Sequence, residues 1–535
     1  MAKVKINTGG KILIALLGLG LIGFAVWKFV IPKKGKEKGK NVEFAKADSP
    51  DKKGKSGSAA KGDSTAGLGR PVKVAIVTWG GYAGGIMANN GFSPNKDSTF
   101  WNEYDVEVEF KVLNDFSART AALKSGGDSG GVDIAWITVD SHALQYPSIK
   151  SIDPKIFMQY DWSRGGDAIA VSKEIKDVTD LKNKRIAVAE ATPSHYFALY
   201  VLSQADLKTD DVNWVFTDSA VQAANFFRQG KVDAAVSWSP DVYMAADDRK
   251  GGHILTSSKE ATNLIADVFV VRGDFLKEHR DVVARFALGW FDGVNQVHND
   301  PDKAAKLLAE GFEGVNEKAA KSMLGNVKLP TYAENLAFFE ITGDQLRGYN
   351  DIYNEASRLW AKLGKISGRV QGNETVDTSI LKGIRKEAEK RWGKVETEKQ
   401  TKEFSFDFES SEEKEKAKGS EAILTKRLRV YFPTGSAKLT ENAKAVLDQA
   451  AELAGTFGKA RMRVVGNTDN VGNRSNNIAL SKRRAKSVVD YMVEDHGFPR
   501  DKFIVIGNGP DNPIAPNDTK DGRQKNRRTD FEIIK

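Results

Sequence analysis

Asp469 and Arg484 are the residues of this chain whose types and spacing most directly offer chemistry. A carboxylate accepts charge-assisted hydrogen bonds from an ammonium, and a guanidinium gives two parallel N–H bonds to a carboxylate. A zwitterion, which carries both complementary groups, suits the pair. The elements that must position them are a strand and a helix. Met462 to Val465 predicts a short β-branched and basic strand, the polar turn after it holds Thr468 and Asp469, and a helix starting near Asn476 carries Arg484 inward. Asn477 adds polarity at the helix start, and Gly472 permits the tight turn. The competing reading is a surface ion pair, worth about 0 to 1 kcal/mol.

Thr468-Asp469, Gly472, Asn477, Leu480-Ser481 and Arg484-Ala485 together resemble the pattern of OmpA-like peptidoglycan-binding domains. The resemblance implies an α/β sandwich over residues 422–535, in which Asp469 and Arg484 grip the free amino and carboxylate end of diaminopimelate in the peptidoglycan stem peptide. Asn526-Arg527-Arg528 matches the Asn-Arg-Arg ending of that family; it is assigned mainly to structure, with Arg527 as a further contact. One stretch departs from the pattern. Where the family often has Phe-Asp-x-x-Ser, this chain has Phe432-Pro433-Thr434-Gly435-Ser436, which removes a carboxylate near the site.

A second group of candidates lies at strand ends in residues 71–370, where hydrophobic strands alternate with amphipathic helices and predict an α/β domain of largely parallel sheets. Open α/β sheets bind ligands at the carboxyl edge. That rule selects Trp79 and Tyr82 after the first strand, Thr138, Asp140 and Ser141 after Val132 to Ile137, and Trp238 and Asp241 at the end of Val232 to Trp238. Thr192, Ser194 and His195 open a helix with Pro193 near its first position, which presents free backbone N–H groups to an anion. An ordinary N-cap is the alternative there. Asp140 and Asp241 disfavour a bare oxyanion, since a buried carboxylate repels it. The expected solute is small and anionic or zwitterionic, with an amine-bearing acid preferred.

These runs, with Asp180 to Ala187, Phe227 to Ala234 and Ser357 to Ile366, resemble the periplasmic substrate-binding proteins of ABC importers, in the branch that takes nitrate, sulfonates, taurine and thiamine precursors. The resemblance implies two lobes hinged around a cleft that closes by domain rotation. It also implies an ABC permease or a sensor as partner.

At 535 residues the chain is too long for one hydrophobic core. Its formal charge of +9 is concentrated in a Lys-rich stretch after the first apolar run, which favours an anionic membrane surface over nucleic acid as partner. Absence of cysteine excludes disulfides, thiol catalysis, Cys-ligated metals and an acylated N-terminal cysteine. His142, His195, His253, His279, His298 and His496 form no pair at metal-ligand spacing, and there is no Walker loop. Gly127-Asp128-Ser129-Gly130-Gly131 repeats the string around a protease serine, but no histidine precedes it to act as base. Neither an enzyme nor a cofactor is expected.

Ile12 to Val30 is an almost uninterrupted apolar run, long enough for a hydrocarbon core that needs roughly 17 to 25 residues. Residues 1–31 are therefore predicted as a cytoplasmic stub and transmembrane signal anchor, 32–70 as a flexible linker and 371–421 as a charged linker. Lysines after the span outnumber those before it, and by charge alone the bulk would stay in the cytoplasm. Long domains are translocated despite such charges, so a single-pass inner-membrane protein with periplasmic domains is expected. The linker at 32–70 spans about 35 Å as a random coil. The sequence leaves two roles open: solute capture against the cell wall, or a structural membrane-to-wall tether whose solute-binding fold serves as a spacer or docking platform.

Overall fold

The computed structural model describes residues 67–342, 347–395, 406, 410–430, 432–433 and 435–534. The predicted membrane span at 12–30 lies outside the described residues, as does most of the first linker; among the described residues no helix is long and apolar enough to cross a membrane.

Strands β1 to β4 are Val72–Ile76, Val108–Val112, Ile134–Thr138 and Lys155–Ser163. β5 to β9 are Asp167–Val171, Arg185–Ala189, Asn213–Thr217, Ala234–Trp238 and His253–Ser257. β10 and β11 are Ala266–Val271 and Val327–Lys328, and β12 to β15 are Ala422–Leu428, Arg461–Asn467, Phe503–Gly509 and Thr529–Ile534. Lobe one is a sheet in the order β11-β4-β10-β3-β1-β2, and lobe two is β7-β6-β8-β5-β9. β3, β5 and β10 are buried along their whole length. Continuous burial explains why they read as mainly apolar runs and not as alternating ones, with Asp167 and Asp267 as buried exceptions near the strand starts.

The sheets are mixed where largely parallel ones were expected. β10 runs antiparallel to β3 and β4, and β5 antiparallel to β8 and β9. The reversal follows from connectivity, because the chain leaves lobe one after β4 and returns through β10. Both crossings are tied together at Ser258. Its hydroxyl accepts from the N–H of Gly165 at 2.8 Å and of Asp167 at 3.2 Å, and lies 2.9 Å from the Ser163 hydroxyl.

The long helix Arg280–Asn299 buries Val283, Phe286, Ala287, Trp290, Val294 and Val297, an apolar stripe at three- and four-residue spacing. Trp290 meets Phe269 of β10 edge-on, with centroids 4.8 Å apart. The solute domain also extends into the segment predicted as a charged linker. Val376 bridges to Ile156 of β4, and helix Ser379–Trp392 buries Ile380, Leu381, Ile384 and Ala388. Trp392 donates its indole N–H to Asp292 at 2.9 Å. The high charge of that helix belongs to its outer face, where Arg385 and Glu389 pair at i,i+4.

The C-terminal sheet has the order β12-β15-β13-β14, with β13 and β14 parallel. Its first strand is Ala422–Leu428. Helix Glu441–Thr456 precedes β13, and helix Arg474–Glu494 connects β13 to β14 while burying Ser481, Ala485, Val488, Val489 and Met492.

Candidate functional site

A cavity of about 110 Å³ opens at the carboxyl edges of β1, β3 and β8, where the chain crosses between the lobes. Trp79, Phe116, Trp136 and Trp238 form much of its wall, and Thr138, Ser163, Gly166, Asp167 and Asp267 complete it. Drug-sized sites measure roughly 300–1,000 Å³, so this one suits a ligand of few heavy atoms. Strand register places the polar groups: Asp267 stands opposite Thr138 on one side and Asp161 on the other, and Asp167 stands opposite Trp238.

The carboxyls here are buried and bonded by neutral donors. Trp79 Nε1 donates to Asp161 at 3.0 Å, Tyr160 to Asp267 at 3.2 Å, and the hydroxyls of Ser194 and Ser163 to Asp167 at 2.6 and 3.3 Å. Burial pushes the pKa of Asp161 up to about 7 and that of Asp167 to about 6. Asp267 is raised further still, by burial and then by the Asp161 charge. Two close approaches depend on missing side chains. A Cβ on Gly81 would collide with the Asp161 carboxyl at 1.4 Å, and one on Gly166 would stand 2.6 Å from the Trp79 ring.

Of the residues selected from sequence in this domain, Trp79, Thr138 and Trp238 line the cavity. Tyr82 lies in the core, stacked on Tyr160 with the two hydroxyls 2.9 Å apart. Asp140 and Ser141 form the first turn of helix Val139–Ile149, where Thr138 Oγ1 accepts from Ser141 N at 3.3 Å. The Asp140 carboxyl is buried, and burial pushes its pKa up to about 7. Thr192 is the N-cap of helix Pro193–Gln204, its hydroxyl accepting from His195 N at 3.3 Å. Ser194 turns to Asp167. The His195 ring packs against Trp214, Phe216 and Trp360, with Nδ1 accepting from Ala191 N at 3.1 Å, and burial lowers its pKa to about 4. Asp241 begins helix Asp241–Asp248, half-buried, and is not among the lining residues. The wall residues Phe116, Trp136, Asp167 and Asp267, with Asp161 behind them, escaped the strand-end rule because most of them sit inside strands or at strand starts.

In the C-terminal domain a cavity of about 680 Å³ is lined by Asp469 and Arg484 together, with Thr468, Asn477, Phe432, Leu480 and Arg527. Thr468 N–H donates to the Gly509 carbonyl at 2.8 Å, its hydroxyl to the Asp469 carbonyl at 2.9 Å, and Val471 N–H to Asp469 Oδ1 at 3.1 Å. Gly472, at φ +93°, makes the turn, and Asn477 Nδ2 holds its rim by donating to the Val471 carbonyl at 3.0 Å. Arg484 stands over the Phe432 ring at 5.0 Å and donates Nε to the Ser436 carbonyl at 3.0 Å and Nη2 to that of Pro433 at 3.4 Å. The departure at Pro433 thus leaves a guanidinium held by backbone carbonyls. Burial, then the neighbouring Arg527, pull the Arg484 pKa below its ordinary value. Arg527, expected as a further contact, pairs directly with Asp469 Oδ2 at 2.5 Å. Asn526 has the structural role, buried and bonded to Ile514, Ala515 and Asn517.

Residues 96–304 match the family described as NMT1/THI5 like, and residues 431–527 match the OmpA family. The chain is 29% identical over 210 residues to the taurine-binding periplasmic protein of Escherichia coli, covering 38% of this chain and 62% of that protein. It is 36% identical over 121 residues to outer membrane protein A of Bordetella avium, covering 23% and 62%. To the peptidoglycan-binding protein ArfA of Mycobacterium tuberculosis it is 38% identical over 104 residues, covering 19% and 32%. The chain thus spans less than two thirds of each of these relatives. Among solved structures, the periplasmic aliphatic sulphonate binding protein SsuA from Escherichia coli aligns over 58% of this chain and 99% of its own, with a TM-score of 0.46 and 17% identity. The chain therefore carries a region similar to the NMT1/THI5-like family and, at its C-terminal end, one similar to the OmpA family.

Proposed function

We propose that this protein captures a small solute in the cleft between its two lobes while its C-terminal domain holds it to peptidoglycan. In this reading the apolar run at 12–30 anchors it in the inner membrane, with both domains in the periplasm, and the solute passes to an ABC permease or a sensor there. Tethering raises the local concentration of the binding domain at such a partner. The observation that carries the reading is the pairing of two separate sites on one chain: an aromatic-walled cavity at the lobe crossing, and a pocket in which Asp469 and Arg484 face one space. The taurine-binding and peptidoglycan-binding names of the two relatives support the same division of labour. At the wall, Arg484 would take the carboxylate and Asp469 the ammonium of the diaminopimelate end, with Thr468, Asn477 and Arg527 around them.

Sedimentation with isolated sacculi tests the wall site. The wild type is expected to co-sediment and Asp469→Ala and Arg484→Ala to remain in the supernatant; equal sedimentation of all three would remove the assignment. A rise in melting temperature with at least one small solute tests capture, and its absence across charged and neutral solutes would leave the structural tether.

A further inference from the structure

We propose that the cleft is built for a small organic cation, a compact ammonium seated among Trp79, Phe116, Trp136 and Trp238 and facing the carboxyls of Asp167 and Asp267. The inference rests on the reading of the cleft as a solute site and names the charge class of its ligand.

Three independent observations lead there. First, among the described residues no lysine or arginine lines the cavity, whereas two aspartates do, each less than 10% exposed. An anion entering this space would meet carboxylates with no cation to offset them. The nearby guanidinium of Arg119 is spent elsewhere: it lies over the Trp136 ring at 4.7 Å from the centroid and donates to the Trp136 carbonyl at 2.9 Å and to Thr120 and Gln145.

Second, the helix end that would attract an anion has a carboxyl of the protein beside it. At the start of helix Pro193–Gln204, Thr192 takes the His195 N–H and Ser194 gives its hydroxyl to Asp167. The Asp167 carboxyl lies beside this helix start, and an anion approaching it would meet that group.

Third, a buried acceptor remains open. Among the described residues Oδ1 of Asp161, fully buried directly behind the wall, receives no N–H or hydroxyl donor; the neighbouring Asp267 carboxyl bonds to Asp161 when it carries a proton. Buried carboxyl oxygens without donors call for protons or a cation nearby. The indole rings supply the complementary face, since an ammonium is drawn to the π surface of tryptophan within about 6 Å of the ring. Trp79 serves both purposes, with its ring in the wall and its Nε1 on Asp161.

The test uses the full chain, with choline and ethylamine as cationic probes and ethanesulfonate and nitrate as anionic ones, read by melting temperature, calorimetry and tryptophan emission. At least one ammonium is expected to raise the melting temperature by several degrees and to change the emission, and the anions to do neither. Asp267→Asn and Trp238→Leu are each expected to weaken that binding at least tenfold; Trp238 is only half-buried, so its replacement keeps the test valid if the first variant fails to fold. Binding of ethanesulfonate or nitrate without binding of either ammonium overturns the cation assignment and leaves capture standing. No response to any probe removes the capture reading and this inference with it.

Discussion

Asp267 sits directly opposite Asp161 in the antiparallel pairing of β10 with β4, so two carboxyls share one buried space beneath the lobe crossing. Asp167 and Asp140 add their charges to the same space. Tyr82 and Tyr160, both with pKa values raised by burial, face this cluster beside Trp79, Ser163 and Ser194, and among the described residues no cationic side chain hydrogen-bonds to any of the four carboxyls.

Carboxyls whose folded pKa is raised bind more protons in the native than in the unfolded state. Their stabilisation is therefore complete below the unfolded value near 4 and is lost as pH rises through 6 for Asp167 and through 7 for Asp140 and Asp161. The ligand-free protein is expected to lose on the order of a few kcal/mol between pH 5 and pH 8 from this cluster. Urea denaturation at the two pH values measures it, and Asp140→Asn, Asp161→Asn and Asp167→Asn each isolate one share by reducing the slope. An identical slope in wild type and variants would assign the pH effect to other groups.

Cation binding has the opposite sign. An ammonium favours ionised carboxylates, so choline or ethylamine affinity should rise from pH 5 to pH 8 and binding should release protons. Calorimetry in two buffers of different ionisation enthalpy reads the release directly. Affinity that falls over this range would mean that protonated carboxyls make the contact.

Gly166 lets the Trp79 ring lie against the lobe crossing, and a Cβ there would stand 2.6 Å from both that ring and the Ser163 hydroxyl. Gly166→Ala should cost about 1–3 kcal/mol through overpacking. It should also shift tryptophan emission and weaken solute binding, because Trp79 must leave its place. Unchanged emission would show that the ring has room to spare.

How far this site was legible in the sequence divides along one line. Trp79, Thr138 and Trp238 follow strands, and the rule that α/β sheets present ligands at their carboxyl edge selects such residues one at a time. Asp161 and Asp267 meet through the antiparallel register of β4 with β10, in a sheet expected to be largely parallel, while Asp167 comes to them from β5 of the other sheet. The helix start at Thr192 shows the converse. Its cap chemistry was readable, but that Asp167 would occupy it depended on a tertiary contact. In the C-terminal domain the turn, the helix and the Asp469 and Arg484 placements were local and legible, whereas the Arg527 contact joins residues 58 positions apart.

Lys502 is buried and gives its ammonium to three carbonyls, those of Phe457 at 2.8 Å, Gly458 at 2.9 Å and Ala460 at 2.7 Å, just past the end of helix Glu441–Thr456. A cation at a helix C-terminus also complements the helix dipole. Lys502→Met keeps the stem and removes the donors, and should destabilise the C-terminal domain by about 2–4 kcal/mol. Denaturation followed by far-UV circular dichroism measures it. A loss under 1 kcal/mol would show that water replaces the ammonium.

The same helix end is bonded to the solute domain. Asn263, in the second lobe crossing, donates its backbone N–H to the Thr456 carbonyl at 3.2 Å and its side chain to the Gly455 carbonyl at 2.9 Å, while Tyr200 donates to the Thr456 hydroxyl at 2.8 Å. Asn263→Ala removes the buried side-chain donor and leaves the Gly455 carbonyl unpaired, a loss of about 1–2 kcal/mol. Tyr200→Phe removes one hydroxyl from the same contact, and because both bonds end on adjacent residues the two losses should not add. Hydrogen exchange gives the sharper readout: in the double variant, amides from 456 to 460 should exchange faster while those of β13 keep their protection. If protection at 456–460 is unchanged, Lys502 alone holds this helix end, and the bonds from Asn263 and Tyr200 contribute nothing to its order.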